Sequence, residues 1–362
     1  MNTAAPLEDG DIWRIAVFRA LGLGDLLCAT PVLRALKAAW PAAELTLIGL
    51  PWARELAARW GYVDRFEPFP GYPGLPEREP DTAALPGFIA RMQRARYDLL
   101  VQLHGSGRIT NPLLATFGAR HLAGHREPDG WCAEPARHAD WPEHGHEIER
   151  LLQVVDLLGI ARCGTRLDFP IDDDDRARLA CTWPMLVRDN VRYACVHAGA
   201  QLASRRWVPE RFAAVADALA DRGYRVVLTG GPGEAALAAR IRTAMQADAI
   251  DACGRTDLGL LGALIERARL LVSNDTGVSH VAAALGTRSV VVSCGADTTR
   301  WAPLDTQRHR VLWHDVPCRP CLHRTCPIGH PCAWGVGSAD VIETALAMAD
   351  DAAPVRGLAA SR

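Results

Sequence analysis

No apolar run in this chain approaches the roughly 20 residues that a membrane-spanning helix needs, so no span is expected. A basic excess is missing too: 40 Lys and Arg stand against 42 Asp and Glu, a net charge of −2. A protein that grips nucleic acid through its phosphates would carry a visible surplus of cations, so nucleic acid is not an expected partner. The stretch Met1 to Asp11 is acidic and lacks the charged-then-apolar order of a secretory leader, which gives a cytoplasmic location as the expectation. These absences leave room for a peripheral membrane contact. The third glycine of the dinucleotide fingerprint is also lacking. After Gly22-Leu23-Gly24 it would fall at position 27, where Leu27 stands, and this weakens a nicotinamide-enzyme reading.

Cysteine, by contrast, is plentiful. Seven of the eleven are scattered singly and read as small buried apolar residues. A cytoplasmic address argues against structural disulfides. The other four, Cys318, Cys321, Cys326 and Cys332, lie within fifteen residues with His323 and His330 among them. Zinc ribbons and iron–sulfur loops use four thiols, but this spacing matches neither cleanly. The cluster is therefore a weak candidate for zinc or an iron–sulfur group, and no metal is assigned. A thiol-rich structural loop and a redox-labile disulfide are the alternatives.

At 362 residues the chain is too long for one ordinary core and fits two domains. Strand and helix patterns alternate throughout. Strands are expected at 14–18, 44–50, 98–103, 191–196, 224–228, 269–272 and 289–293. Helices are expected at about 25–40, ended by Pro41, and at 147–158, 209–221, 233–245, 258–267, 277–285 and 339–349. Segment 69–86 reads as an exposed Pro/Gly loop, and 121–146, with Trp131, Trp141 and five histidines, as irregular. The rhythm implies an α/β protein made of two parallel sheets with helices on both faces, and a ligand cleft between them. The expected division is 1–170, a linker at 171–190, a second domain at 191–350 and a disordered tail at 351–362. The last helix has the option of packing back on the N-terminal domain. The run Asp172 to Asp175 could hold a metal, but a capped first turn of a helix is the better reading.

Four strand ends carry chemistry. Gly22 and Gly24 make a turn that brings Asp25 to the start of a helix. There it could cap the helix or act as a general base, and the helix dipole that favours its charge weakens it as a base. Gly199, in His197-Ala198-Gly199-Ala200, allows close backbone approach, and Arg205 and Arg206 follow it with forks that match phosphate oxygens. Gly230 lies in a flexible turn before Glu234, which could accept hydrogen bonds from ribose hydroxyls or simply charge a first turn. Finally, Asp275, Thr276, Gly277 and His280 sit where a buried-type strand meets a helix start, a place suited to phosphate. Thr276 as a plain cap and His280 as a buried histidine are the bland alternatives. Together the second-half turns describe a nucleotide-diphosphate pocket.

These stretches resemble glycosyltransferase family nine, the ADP-heptose–lipopolysaccharide heptosyltransferases. The likeness runs over about residues 12–350. It rests on Gly22-Leu23-Gly24-Asp25 with Pro31, His197-Ala198-Gly199-Ala200, Arg205-Arg206-Trp207-Val208-Pro209, Asn274-Asp275-Thr276-Gly277 with His280, and Cys318-Arg319-Pro320-Cys321. The resemblance implies a GT-B fold, with two Rossmann-like domains facing a cleft, acceptor on the first and nucleotide-sugar donor on the second. It implies inverting transfer with no required cofactor or metal, Asp25 as base, Arg205 beside the donor diphosphate and Glu234 near the ribose. Asp275, Thr276, Gly277 and His280 would face the donor phosphate and sugar. The acceptor would be a lipopolysaccharide-core or other surface glycan or glycolipid, met at the cytoplasmic face of the inner membrane. Arg205 where lysine is usual, Ala198 where proline is common, and Cys294-Gly295-Ala296 where Phe-Gly-Pro is frequent are departures that bear on the donor. Rival readings are a nucleotide-sugar epimerase or hydrolase of the same architecture, and a non-catalytic sugar-nucleotide-binding protein.

Overall fold

The computed structural model describes residue 7 and residues 10–351. The expected disordered tail lies, beyond Asp351, outside the described residues. The chain divides into two compact units, Met1–Pro170 and Ile171–Arg362.

In the first unit the order is β1 (Arg14–Phe18), α1 (Leu23–Cys28), α2 (Thr30–Ala39), β2 (Glu44–Gly49), α3 (Arg54–Arg59), β3 (Arg65–Pro68), α4 (Leu85–Ala95), β4 (Leu99–Gln102), α5 (Thr110–Ala115), β5 (His121–Arg126), β6 (His138–Asp140) and α6 (Glu147–Leu157). The sheet order is β3-β2-β1-β4-β5-β6, parallel throughout. Strand order reverses direction between β1 and β4, the place where open α/β sheets bind ligands. The core strands β1 and β4 are buried on both faces, as continuous runs such as Ile15-Ala16-Val17-Phe18 require. A chain of edge-on rings, Phe18–Phe69–Phe88–Phe117, spaced 4.9, 5.8 and 5.6 Å, fills one face.

Three expectations for this unit are corrected. The helix read at 25–40 is two helices that meet at Ala29, because Pro31 has no N–H to continue α1 and instead opens α2. Segment 121–146 contains β5 and β6, which extend the sheet. Its histidines masked the strand pattern, yet His125 is buried, with Trp141 edge-on against it at 5.2 Å. The 69–86 loop is anchored rather than exposed throughout, since Phe69 is core and Tyr72 and Leu75 pack on it.

The second unit contains α7 (Asp173–Thr182), β7 (Tyr193–His197), α8 (Pro209–Asp221), β8 (Arg225–Thr229), α9 (Ala235–Ala244), β9 (Ala249–Asp251), α10 (Leu258–Arg267) and β10 (Leu270–Asn274). It continues with α11 (Gly277–Leu285), β11 (Ser289–Ser293), α12 (Thr298–Trp301), β12 (His309–Trp313), α13 (Pro331–Trp334) and α14 (Ser338–Asp350). Its parallel sheet runs β12-β11-β10-β7-β8-β9, the same Rossmann-type order, with the switch between β7 and β10.

The stretch read as a linker carries α7. Asp172 caps that helix in a reciprocal box with Asp175, so the aspartate run is a helix start. Helix α7 is fastened to α10 by Arg176, which forks onto Glu266 at 2.9 and 2.8 Å. Helix α14 uses its apolar face within the second unit, where Val341, Ala345, Met348 and Ala349 join the core made by α8 and the sheet.

Candidate functional site

Strand register explains why the second unit gathers polar groups. His197 lies level with Thr229 on β8 and with Ser273 on β10, while Asn274 lies level with Val292 on β11. Strands β7 and β8 end level, β10 one residue further and β11 two, so the residues just beyond them share one edge. Asn274, fully buried, locks this edge. Its carbonyl accepts from the Trp207 backbone N–H at 2.8 Å, and its amide donates to the Ala198 carbonyl at 2.6 Å. The turn after β7 is thus tied to β10 by one side chain.

Beyond β10, Asp275 is half-buried at the start of α11 and accepts from the Ser293 hydroxyl at 3.0 Å. Burial raises its carboxyl above the ordinary aspartate value, with the Ser293 hydrogen bond and the charges of Arg205 and Arg319 opposing. Thr276 occupies the N-cap position in extended geometry, but its side chain makes no capping bond. Gly277 opens the helix. His280 is buried and meets Trp301 edge-on at 6.3 Å. Arg205 donates to the Cys321 carbonyl at 3.2 Å, and its Nε is buried without a hydrogen-bond partner. Arg206 instead folds back on its own turn, donating to the Ala200 carbonyl at 2.9 Å.

Beyond β8, Glu234 accepts from the Gly231 N–H at 2.8 Å and leans over Gly199. A Cβ on Gly199 would lie 1.9 Å from Glu234 Oε1, and one on Gly230 would lie 2.8 Å from the Cys253 sulfur. Both glycines serve by leaving room. Neither has a positive φ. Val196, Leu237 and Ile241 wall a small hollow with Glu234 at its edge. His197 lies 3.9 Å from Glu234 and bonds Thr229 at 3.1 Å; burial lowers its basicity and the carboxylate partly restores it.

In the first unit, Asp25 sits in the first turn of α1. The N-cap position is Gly22, three residues before Asp25, and Gly24 lies inside the helix rather than in the turn. The aspartate side chain is about one-third exposed and lies 3.6 Å from Arg19, which is fully buried and also pairs with Glu147 at 3.0 Å. Glu147 in turn holds Arg150 at 3.4 Å. From the end of β4, His104 accepts from the Ala20 N–H at 3.3 Å and faces Glu77 at 3.7 Å. The carboxylate thus stands beside the first switch point, backed by a buried ion network.

Sequence reading missed Arg19, Glu147, Ser293 and Arg319. Arg19 directly follows β1 and Ser293 ends β11, so a strand-end rule would have found both. Nothing local marks Glu147, which looks like an ordinary first-turn acid. The four clustered cysteines are free thiols of unequal burial, Cys318 exposed, Cys321 and Cys332 buried. Among the described residues no group of three or more His, Cys, Asp or Glu side chains is placed to hold a metal ion. No helix among them is long and apolar enough to cross a membrane.

Comparison with known proteins agrees with this architecture. Lipopolysaccharide heptosyltransferase 3 of Escherichia coli (strain K12) is 29% identical over 295 residues, covering 77% of this chain and 82% of that protein. Among solved structures, a glycosyl transferase family 9 protein from Veillonella parvula DSM 2008 superposes with a TM-score of 0.78 at 20% identity, over 96% of this chain and 100% of that one. The E. coli ADP-heptose lps heptosyltransferase II does so with a TM-score of 0.72 at 19% identity, over 93% and 98%. The fold is GT-B, as the resemblance implied. The family model described as glycosyltransferase family 9 (heptosyltransferase) matches residues 88–331, and the chain, a glycosyltransferase, belongs to that family.

Proposed function

We propose that this enzyme transfers a heptose from ADP-heptose to a lipopolysaccharide-core or related surface-glycan acceptor, with inversion at the anomeric carbon. It works in the cytoplasm, in peripheral contact with the inner membrane where its acceptor is anchored. The first unit binds the acceptor and the second the donor. Relatives named as lipopolysaccharide heptosyltransferases support the substrate class. The observation that carries the reading is the furnishing of the second switch point. The turns after β7 and β8, where Gly199 and Gly230 leave room beside Glu234, suit a ribose, and the start of α11 with Arg205 suits a diphosphate. Asp275, Thr276 and His280 then meet the sugar and its phosphate.

In this mechanism the Asp25 carboxylate takes the proton of an acceptor hydroxyl. The oxygen forms its bond to the anomeric carbon from the face opposite the leaving group. The carbon–oxygen bond to the diphosphate breaks, and its electron pair leaves with ADP. Negative charge grows on that leaving group, where Arg205 and the helix start stabilise it more than in the ground state. Asp25 then returns its proton to water. The Arg19 guanidinium lies 3.6 Å from that carboxylate. No cofactor enters the scheme.

The test is multiple turnover with ADP-heptose and a heptose-deficient lipopolysaccharide acceptor, read by ADP release and by the anomeric configuration of the product. Release of ADP only when acceptor is present, with inverted product, is expected. Equal ADP release without acceptor would make the protein a hydrolase, and a converted nucleotide sugar without acceptor would make it an epimerase. Tight donor binding with no turnover at all would leave a binding protein.

A further inference from the structure

One loop touches the supports of both Asp275 and Arg205. It runs from Val316 to His330, between β12 and α13, and carries Cys318, Cys321 and Cys326. Its Cys321 carbonyl accepts from Arg205 and its Cys321 N–H donates to the Gly295 carbonyl at 2.6 Å. The Arg324 carbonyl accepts from the Ser204 N–H at 3.1 Å, and His330 bonds the Ser204 carbonyl at 2.8 Å. The loop therefore laces the turn after β7 to the turn after β11, the strand whose last residue, Ser293, reaches Asp275.

Arg319 is the side chain at the centre of this lacing. One Nη donates to the Ser293 carbonyl at 2.7 Å and the His314 carbonyl at 3.4 Å; the other donates to the Ser293 hydroxyl oxygen at 3.3 Å and to the Ala296 carbonyl. A serine hydroxyl has one proton and two lone pairs. When a guanidinium donates into the oxygen, the proton must point elsewhere, and here it points at Asp275 Oδ2, 3.0 Å away. The chain Arg319 to Ser293 to Asp275 has one direction of donation.

We propose that Arg319 is a positioning residue for Asp275: it orients the Ser293 hydroxyl onto that carboxylate and brings a guanidinium charge to its side. This rests, for its bearing on catalysis, on the reading of Asp275 as a donor-sugar ligand. The charged groups facing Asp275 are Arg205 from the turn after β7, Arg319 from the loop and Asp297 from the turn before α12. Burial pushes this carboxyl upward, and loss of one cation and of the directed hydroxyl pushes it the same way.

The direct test needs no donor. In full-length protein with carboxyl-labelled aspartate, NMR follows the Asp275 titration, its signal assigned by Asp275→Asn. Arg319→Gln is expected to raise the midpoint by about one pH unit, a tenfold change in ionisation equilibrium. Arg319→Lys, which keeps the charge and loses the fork, is expected to raise it less. Thermal melting reports whether each variant folds; if Arg319→Gln does not, the lysine variant decides. A midpoint coincident with wild type in every folded Arg319 variant overturns the proposal. In turnover assays, Arg319→Gln is expected to raise the KM for ADP-heptose about tenfold, with kcat changed less and the defect shrinking as the pH rises. Absence of turnover in wild type would refute the proposed function, while the titration still judges Arg319.

Discussion

The two units share one strand order and one switch point each, yet they furnish it differently. In the first, a single carboxylate about one-third exposed, Asp25, stands before fully buried Arg19, which Glu147 and Arg150 complete as an ion network. In the second, the polar side chains are held chiefly by backbone: the Cys321 carbonyl grips Arg205, the Ser293 and Ala296 carbonyls grip Arg319, a backbone N–H grips Glu234, and glycines clear the space. A buried network sets the electrostatics of one group. A backbone lattice arranges several groups along a long ligand. On the proposed function, the contrast suits proton transfer by the first unit and nucleotide-sugar binding by the second.

The sharpest break of this comparison is Asp25→Asn. It keeps the shape and removes the base, so kcat should fall about 10²–10⁴-fold, the usual worth of general base catalysis. ADP-heptose affinity by calorimetry should stay within about twofold. A parallel loss of donor affinity would erase the division of labour. Next in size is Glu147→Gln. It leaves buried Arg19 and Arg150 without their shared carboxylate, and breaking such a network costs about 3–5 kcal/mol. Denaturant melts followed in the first unit, for instance through Trp60 or Trp141, should register that loss. A wild-type midpoint would show that the network is dispensable.

Much of this was legible from sequence because the physics is local. Buried parallel strands read as apolar runs, and a turn after such a run reads as a ligand edge, which singled out Asp25, Glu234 and Asp275 as candidates. The errors have a common source in long-range context. Histidines hid β5, since only tertiary packing reveals that His125 is buried. Pro31 was passed over inside a strong helical pattern although it splits α1 from α2. Arg319 was visible inside Cys318-Arg319-Pro320-Cys321, but the cysteines drew the chemical attention. Its partner Ser293 lies 26 positions away, joined to it only by the β11 turn. Glu147 is 128 residues from Arg19, and no periodicity encodes that pair.

Gly199→Ala sharpens the second half of the comparison with a smaller effect. The new methyl would sit 1.9 Å from Glu234 Oε1, so the carboxylate must swing away from the hollow. Donor affinity should fall about tenfold, equivalent to about 1.4 kcal/mol, while Asp25-dependent chemistry on bound donor is unchanged. An unaltered Kd would remove Glu234 from the nucleotide.

The smallest effect separates scaffold from site. Asp172→Ala removes the cap of α7 and the reciprocal bond to Asp175, at a cost of about 1 kcal/mol. Because Arg176 still forks onto Glu266 and Leu179 stays buried against the second unit, the helix should remain docked. A modest drop in the second unit's denaturant midpoint with unchanged kcat/KM is the expected pair of results. Loss of activity out of proportion to that drop would mean that the aspartate run does more than start a helix. The sequence-level alternative of a cation site there would then regain force, and added divalent metal should restore the activity of wild type stripped by chelator.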